Sequence, residues 1–157
     1  ALEQRGFTRE IVRAATWSPT MRPLRARRVA EALQAMRTSA DFQALAVLFK
    51  RVKNIAKELK EDAVLERSAL TEPAERALLT ELDTRRPRIE QASAAGDYRR
   101  ALSEIAGLRA AVDTFFADVL VITDDMRLRT ARLKLTADLR DLVLDLADIS
   151  EIVPQTE

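Results

Sequence analysis

The chain has 157 residues, of which 47% are apolar, and only three are glycine and five proline. That length suffices for one domain with a sizeable core, and the apolar fraction excludes a disordered tail. The sequence contains neither cysteine nor histidine, which excludes disulfides, thiolate metal sites and the usual general base near neutral pH.

The net charge of +1 conceals an asymmetry along the chain. Residues 1–60 hold 13 Lys and Arg against 5 Asp and Glu, whereas residues 61–157 hold 13 against 20. This division favours one face for an anionic partner, although solvated charges can also segregate by chance. Because strong helix formers dominate, we predict a single all-α domain over residues 1–157, a bundle of about six helices.

Three helices are predicted in the basic half of the chain, at residues 5–16, 24–36 and about 40–59. Two prolines interrupt the chain between the first and the second, because proline is excluded from a helix interior. The side chains of Thr38, Ser39 and Asp41 offer oxygen atoms to cap the third helix.

The acidic half is predicted to form helices at residues 73–95, 97–111 and 126–152, with 112–119 as a candidate continuation of the second of these. Pro73 is tolerated in a first turn, whereas Pro87 predicts a bend or a break in the same helix. Gly96 is the expected C-cap, and Asp124 and Asp125 are the expected caps of the last helix.

The third helix carries the most informative pattern of the sequence. One face is apolar, and the opposite face bears residues spaced three or four apart: Lys50, Lys53, Asn54, Lys57 and Lys60. Like charges at this spacing repel each other by about 0.2–0.5 kcal/mol per pair, so folding does not require them. A phosphate backbone would neutralise these lysines, and an ordinary solvated face is the alternative.

A second basic cluster surrounds the start of the second helix and comprises Arg22, Arg25, Arg27 and Arg28. Basic side chains oppose the dipole there, which suggests a site that attracts anions. Trp17 lies just upstream, where it would either stack on an unpaired base or, as burial statistics favour, fill the core.

Arg132 interrupts the apolar stripe of the last helix. A buried guanidinium needs a partner, so we expect an ion pair with an acid on a neighbouring helix, such as Asp113 or Asp118. An arm extended towards RNA is the alternative. The sequence shows no glycine-rich phosphate loop, no catalytic triad and no metal-spaced cluster, so we expect no catalytic, cofactor or metal site.

Six short segments resemble the C-terminal region of bacterial glycyl-tRNA synthetase beta subunits. In the order of that family, they are KRVKNI (50–55), PAERAL (73–78), GDYRRAL (96–102), VDTFFADVLVI (112–122), RTARL (129–133) and ADIS (147–150). The chain departs from the family pattern at Ala117, where the family has aspartate, and at Ala131, where it has asparagine. No base-reading role is carried over to those two positions.

The resemblance implies a DALR-type anticodon-binding bundle, with Lys50, Arg51 and Asn54 as RNA contacts. The lysine pattern adds Lys53 and Lys57 to this surface, and the second cluster adds Arg22, Arg25 and Arg28. The implied parent enzyme joins glycine to its tRNA with ATP and magnesium. Its catalytic alpha subunit forms a heterotetramer with the beta subunit or is fused to it.

We accordingly expect a non-catalytic C-terminal fragment of a longer chain that binds glycine tRNA. No signal peptide or membrane-spanning stretch is visible in the sequence, so a cytoplasmic location is expected. Two other functions stay open: a helical protein–protein adaptor, suggested by the repeat-like segment at 96–102, and the anticodon-binding domain of an arginyl-tRNA synthetase.

Overall fold

Helices make up the architecture of the described chain. The computed structural model describes residues 6–18 and 22–152, and these contain no strand. The α-helices within them are α1 (Arg9–Ala15), α2 (Pro23–Met36), α3 (Ala40–Ala56), α4 (Pro73–Ala94), α5 (Tyr98–Ala106), α6 (Arg109–Asp118) and α7 (Met126–Leu144). Two 3-10 turns occur at Arg67–Ala69 and Ile149–Glu151. The predicted all-α class is confirmed.

Side chains cap most of the long helices where the sequence predicted a start. The Ser39 hydroxyl accepts a hydrogen bond from the Phe42 N–H at the start of α3. Asp125 accepts from two N–H groups of the first turn of α7. Glu72 and Glu75 form a reciprocal capping box at α4. Each cap satisfies N–H groups that have no partner inside the helix, which fixes where the helix begins.

Several predicted helix limits are wrong. In the first predicted helix (5–16), residues 6–8 are not helical, and α1 begins at Arg9 after the Thr8 cap. The third helix ends at Ala56 rather than near residue 59. The predicted break at Pro87 does not occur, since α4 continues through this residue to Ala94. The predicted fifth helix is two helices, because the chain turns at Gly107 and Leu108 between α5 and α6. The last helix ends at Leu144 rather than near residue 152, and the chain then turns so that the Asp148 N–H donates to the Ala14 carbonyl.

The core forms where α3 and α7 pack against each other and against their neighbours. α3 also contacts α5, α6 and the 149–151 turn, while α4 contacts α5, α6 and α7. Phe42, Phe49 and Phe115 are among the largest fully buried side chains. Burying each removes roughly 150–250 Å² of aromatic surface from water, which makes such residues dominant in the stability of the core.

Candidate nucleic-acid interface

The outer face of α3 presents three polar side chains to solvent. The helix buries Phe42, Leu45, Phe49 and Val52 on its inner side. Lys50, Asn54 and Lys57 are exposed on the other side. Their side chains make no hydrogen bond or ion pair with any residue in the described ranges 6–18 and 22–152. The two ammonium groups are therefore available to an anion, and the amide is available to a base edge.

Lys53 differs from its neighbours on α3, because an acid from a distant part of the chain neutralises it. Its Nζ lies 2.7 Å from Asp148 Oδ2 and donates to the Ser150 hydroxyl at 3.2 Å. Asp148 is itself buried and accepts from Ser150. Lys53 thus anchors the turn that follows α7, and its predicted contact with RNA stays a prediction.

Arg51 lies at the edge of the same face and packs against α6. Its guanidinium carbon is 4.6 Å from the centroid of the Phe116 ring, which is a cation–π distance. The residue is nonetheless exposed. A flat guanidinium held in this way presents donors in a fixed orientation, as a contact with phosphate or with a base requires.

A cleft of about 680 Å³ brings the predicted arginines of α2 together. It is lined by Trp17, Ser18, Arg22, Leu24, Arg25, Arg28, Tyr98, Leu144 and Asp145. Arg25 donates to the Asp145 carbonyl oxygen at 2.7 Å and lies 5.8 Å from the centroid of the Tyr98 ring. Arg22 and Arg28 are exposed and have no hydrogen-bonding or ionic partner among the residues that the structure describes.

The core position favoured for Trp17 is wrong. The side chain is 44% exposed and lines the cleft instead. Statistics of tryptophan burial cannot reveal that a particular tryptophan stands beside an arginine cluster. Tyr98, which sequence reasoning did not select, lines the same cleft. Its place after the Asp97 cap of α5 sets its position against α2, and only the packing of these two helices reveals the contact.

Arg132 is buried and forms the expected ion pair, but neither expected partner is correct. Its Nε lies 2.6 Å from Glu75 Oε2, and its Nη1 donates to the Leu120 carbonyl at 2.8 Å. Asp113 instead faces Arg109 on its own helix. The guanidinium is thus part of the core and does not extend towards a ligand.

Residues 6–18 and 22–152 give no support for two kinds of function, metal binding and the crossing of a membrane. No group of three or more acidic side chains in that part of the chain is arranged to hold a metal ion. None of its helices is both long enough and apolar enough to cross a membrane. What these residues do offer is unpaired cations beside aromatic rings, an arrangement that suits phosphates and unstacked bases.

The same family appears in comparisons with known proteins. A glycine–tRNA ligase beta subunit of Acinetobacter baumannii (strain AYE) is 39% identical over 149 residues, which cover 94% of this chain. The corresponding subunit of Vibrio cholerae is 40% identical over 149 residues (92% of this chain), and that of Shewanella amazonensis is 43% identical over 121 (76%). The chain spans only about a fifth of the length of these relatives, at 22%, 21% and 18%.

The resemblance to glycyl-tRNA synthetase beta subunits is therefore confirmed, and it extends over nearly the whole chain. The sequence profile described as "DALR anticodon binding domain" matches residues 45–153, which include α3 to α7 and the Ile149–Glu151 turn. That match takes in more than half of the residues and agrees with the all-α architecture. The chain belongs to the family of DALR anticodon-binding domains.

Proposed function

We propose that this chain is the part of a bacterial glycyl-tRNA synthetase beta subunit that binds the anticodon arm of glycine tRNA. The observation that carries the proposal is the outer face of α3, where Lys50, Asn54 and Lys57 are exposed with no partner in the described chain. The family match supplies the class of ligand, and the names of the relatives supply the amino acid.

Binding on this face has two physical components. Lys50 and Lys57 attract the phosphate backbone without regard to sequence, because each contact releases condensed counterions. Asn54 contributes selectivity, since its amide both donates and accepts and can pair with a base edge through two hydrogen bonds. Lys53 holds the 149–151 turn beneath this surface through Asp148.

The catalytic step of the proposed reaction belongs to another part of the parent enzyme. We infer a ligase whose ATP- and magnesium-dependent step takes place in an alpha subunit, associated with the beta subunit as a heterotetramer or joined to it in one chain. In that arrangement the fragment acts as a single RNA-binding domain over residues 1–157 and itself activates no glycine. The cytoplasm, where tRNA is charged, is the proposed location.

The test compares the Asn54→Ala and Lys57→Ala variants in binding to glycine tRNA and arginine tRNA at several salt concentrations. Lys57→Ala should weaken both complexes alike and lower the salt slope by about 0.7–0.9, the value for one lost phosphate contact. Asn54→Ala should instead reduce the ratio between the affinities for glycine tRNA and arginine tRNA by a factor on the order of ten. Binding would be measured by fluorescence anisotropy of labelled tRNA.

Lys53→Ala is the stability control in this experiment. Loss of its ammonium leaves the buried Asp148 carboxylate without its ion-pair partner, so the melting temperature should fall, whereas Lys57→Ala should leave it unchanged. If Asn54→Ala and Lys57→Ala bind both tRNAs as the parent does, the α3 face is not the interface. Equal affinity of the parent chain for the two tRNAs would contradict the assignment to glycine.

A further inference from the structure

Tyr98 lies at the centre of a groove between α2, α5 and the end of α7. It lines the 680 Å³ cleft and also two neighbouring concavities of about 470 and 400 Å³. The first neighbour shares Arg25 and Asp145 with the cleft, and the second shares Arg28. Since these hollows have walls in common, they form one groove around the Tyr98 ring.

Arg25 fixes the shape of the cleft. Its guanidinium is held at 2.7 Å by the Asp145 carbonyl and lies over the Tyr98 ring at 5.8 Å, so the α2 wall, the α5 wall and the end of α7 are tied together. A ring and a guanidinium held in this way are preorganised surfaces against which a flat base can stack at a small entropic cost.

The remaining side chains of the cleft divide into three chemical kinds. Trp17 contributes a second, 44% exposed aromatic surface. Arg22 and Arg28 bring two positive charges that no described residue neutralises. Asp145 is exposed and is the one acid among the described residues that line the cleft. Its carboxylate makes no ion pair with those residues. The cleft thus combines an aromatic surface, a group that binds anions and a hydrogen-bond acceptor.

We propose that this cleft holds one unpaired nucleotide of the bound RNA. Its base packs against Trp17 and Tyr98, and its phosphate lies between Arg22 and Arg28. Its exocyclic amino group donates to the Asp145 carboxylate. The assignment rests on the proposed function, which makes RNA the occupant, but it adds a site away from the α3 face and residues that neither the family profile nor the relatives assign.

Asp145 gives the cleft a preference among bases. Cytosine, adenine and guanine carry an exocyclic amino group that can donate to a carboxylate, as in the known pairing of acidic side chains with the amino group of cytosine. Uracil presents a carbonyl oxygen at the corresponding position, and two acceptors facing each other repel. The cleft should therefore favour cytidine over uridine while stacking either base.

The chain itself provides the reporter for a test, because Trp17 is its single tryptophan. Pentacytidylate and pentauridylate would be titrated into the 157-residue chain while Trp17 emission is followed. Pentacytidylate should quench the emission saturably, and pentauridylate should do so at about tenfold higher concentration, which corresponds to one charge-assisted hydrogen bond. Because a base that stacks on the indole quenches its emission, saturable quenching is the signal expected when the cleft is occupied, and the cleft variants test this assignment.

Four variants separate the contributions. Tyr98→Leu should weaken pentacytidylate binding by roughly tenfold, whereas Tyr98→Phe keeps the ring and should bind as the parent does. Asp145→Asn preserves the backbone carbonyl that holds Arg25 and should reduce the preference for cytidine. Arg28→Gln should weaken both oligonucleotides and lower the salt slope by about 0.7.

Arg76→Gln is the matched control for a lost surface charge. Arg76 is exposed in the first turns of α4, about 20 Å along that helix from Ile89, where the groove begins. It should change neither the quenching nor the preference. Circular dichroism of each variant would establish that α5 and its neighbours remain folded.

The outcomes distinguish this inference from the proposed function. If neither oligonucleotide alters Trp17 emission while glycine tRNA still binds, the cleft is not a nucleotide site, although the chain is an RNA-binding domain. If Tyr98→Leu and Asp145→Asn quench with the affinity and preference of the parent, the assignment of base contacts is wrong. If glycine tRNA does not bind at all, the proposed function fails, and a saturable preference for pentacytidylate would still support the cleft.

Discussion

Arg132 and Glu75 form an ion pair in the interior of the protein, with both side chains buried. Glu75 is fully buried, and its two carboxylate oxygens have different partners. Oε2 accepts from Arg132 at 2.6 Å, and Oε1 accepts from the Glu72 N–H at 2.9 Å. Arg132 also donates to the Leu120 carbonyl. One pair of side chains thus joins the start of α4, the middle of α7 and the loop after α6.

Replacement of Arg132 by methionine should lower the free energy of unfolding by about 3–5 kcal/mol, because the Glu75 charge would be left buried without a partner. The double variant Glu75→Met, Arg132→Met removes both charges and should be more stable than Arg132→Met alone, despite losing the capping bond at α4. Urea denaturation of the parent chain, of the single variants Arg132→Met and Glu75→Met, and of the double variant measures these quantities. If the two single effects simply add in the double variant, the side chains are not coupled.

At the level of single residues, the sequence indicates which side chains are unusual but not which atoms they meet. A positive residue in the apolar stripe of α7 predicts an ion pair, and this prediction is confirmed. Its partner lies 57 positions earlier in the chain, so no local spacing identifies it. The same applies to Lys53, whose partner Asp148 is 95 positions away. Both pairings depend on how the helices pack.

Among the helices, α4 contains a proline that the sequence predicts to break it. Pro87 is exposed and lacks the N–H that would bond to the carbonyl of Asp83. The helix continues because contacts on either side of the proline hold it. Arg85 donates to the Glu104 carbonyl at 3.2 Å, Arg88 reaches the Glu104 carboxylate at 3.4 Å, and Ile89 is buried. Packing against α5 thus outweighs the local penalty.

Pro87→Ala should stabilise the protein by about 1–2 kcal/mol. Alanine restores the missing hydrogen bond and removes the clash with the preceding turn, although the unfolded chain becomes more flexible and offsets part of the gain. Pro73→Ala is the matched control, since Pro73 stands in the first turn, where no hydrogen bond is regained. Thermal melts of both variants test this prediction, because only Pro87→Ala should raise the melting temperature. A lower melting temperature for Pro87→Ala would show that α4 requires the proline.

The starts of α3 and α7 were predictable from the sequence, whereas the ends of α5 and α7 were not, and the reason is physical. Ser39 and Asp125 act through bonds to residues two or three positions away, so their effect is visible in the sequence. At the turn between α5 and α6, the Arg85 guanidinium of α4 occupies the space that a Cβ at Gly107 would need, a contact between residues 22 positions apart that no local pattern indicates. After α7 ends at Leu144, Asp148 contacts Ala14 and Lys53, which are distant in the chain.

For the molecule as a whole, the segment after α7 connects the two basic clusters. The Asp145 carbonyl holds Arg25 of α2, and the Asp148 carboxylate holds Lys53 of α3. These two aspartates are three positions apart, so their Cα atoms are separated by at most about 11 Å. This segment thus fixes one basic side chain in each cluster, Arg25 through a backbone carbonyl and Lys53 through a carboxylate. Among the described residues, Arg22, Arg28, Lys50 and Lys57 have no ionic partner.

This arrangement predicts that a single tRNA meets both clusters at once. Arg28→Gln and Lys57→Gln should each lower the salt slope of glycine tRNA binding by about 0.7–0.9, and the double variant should lower it by about 1.4–1.8. Their effects on the free energy of binding should also add, because the two side chains share no partner. The measurement is anisotropy of labelled tRNA at several salt concentrations, with Arg76→Gln as the control. If Arg28→Gln leaves the slope of the parent unchanged while Lys57→Gln lowers it, the RNA lies on α3 alone and does not reach the groove beside Tyr98.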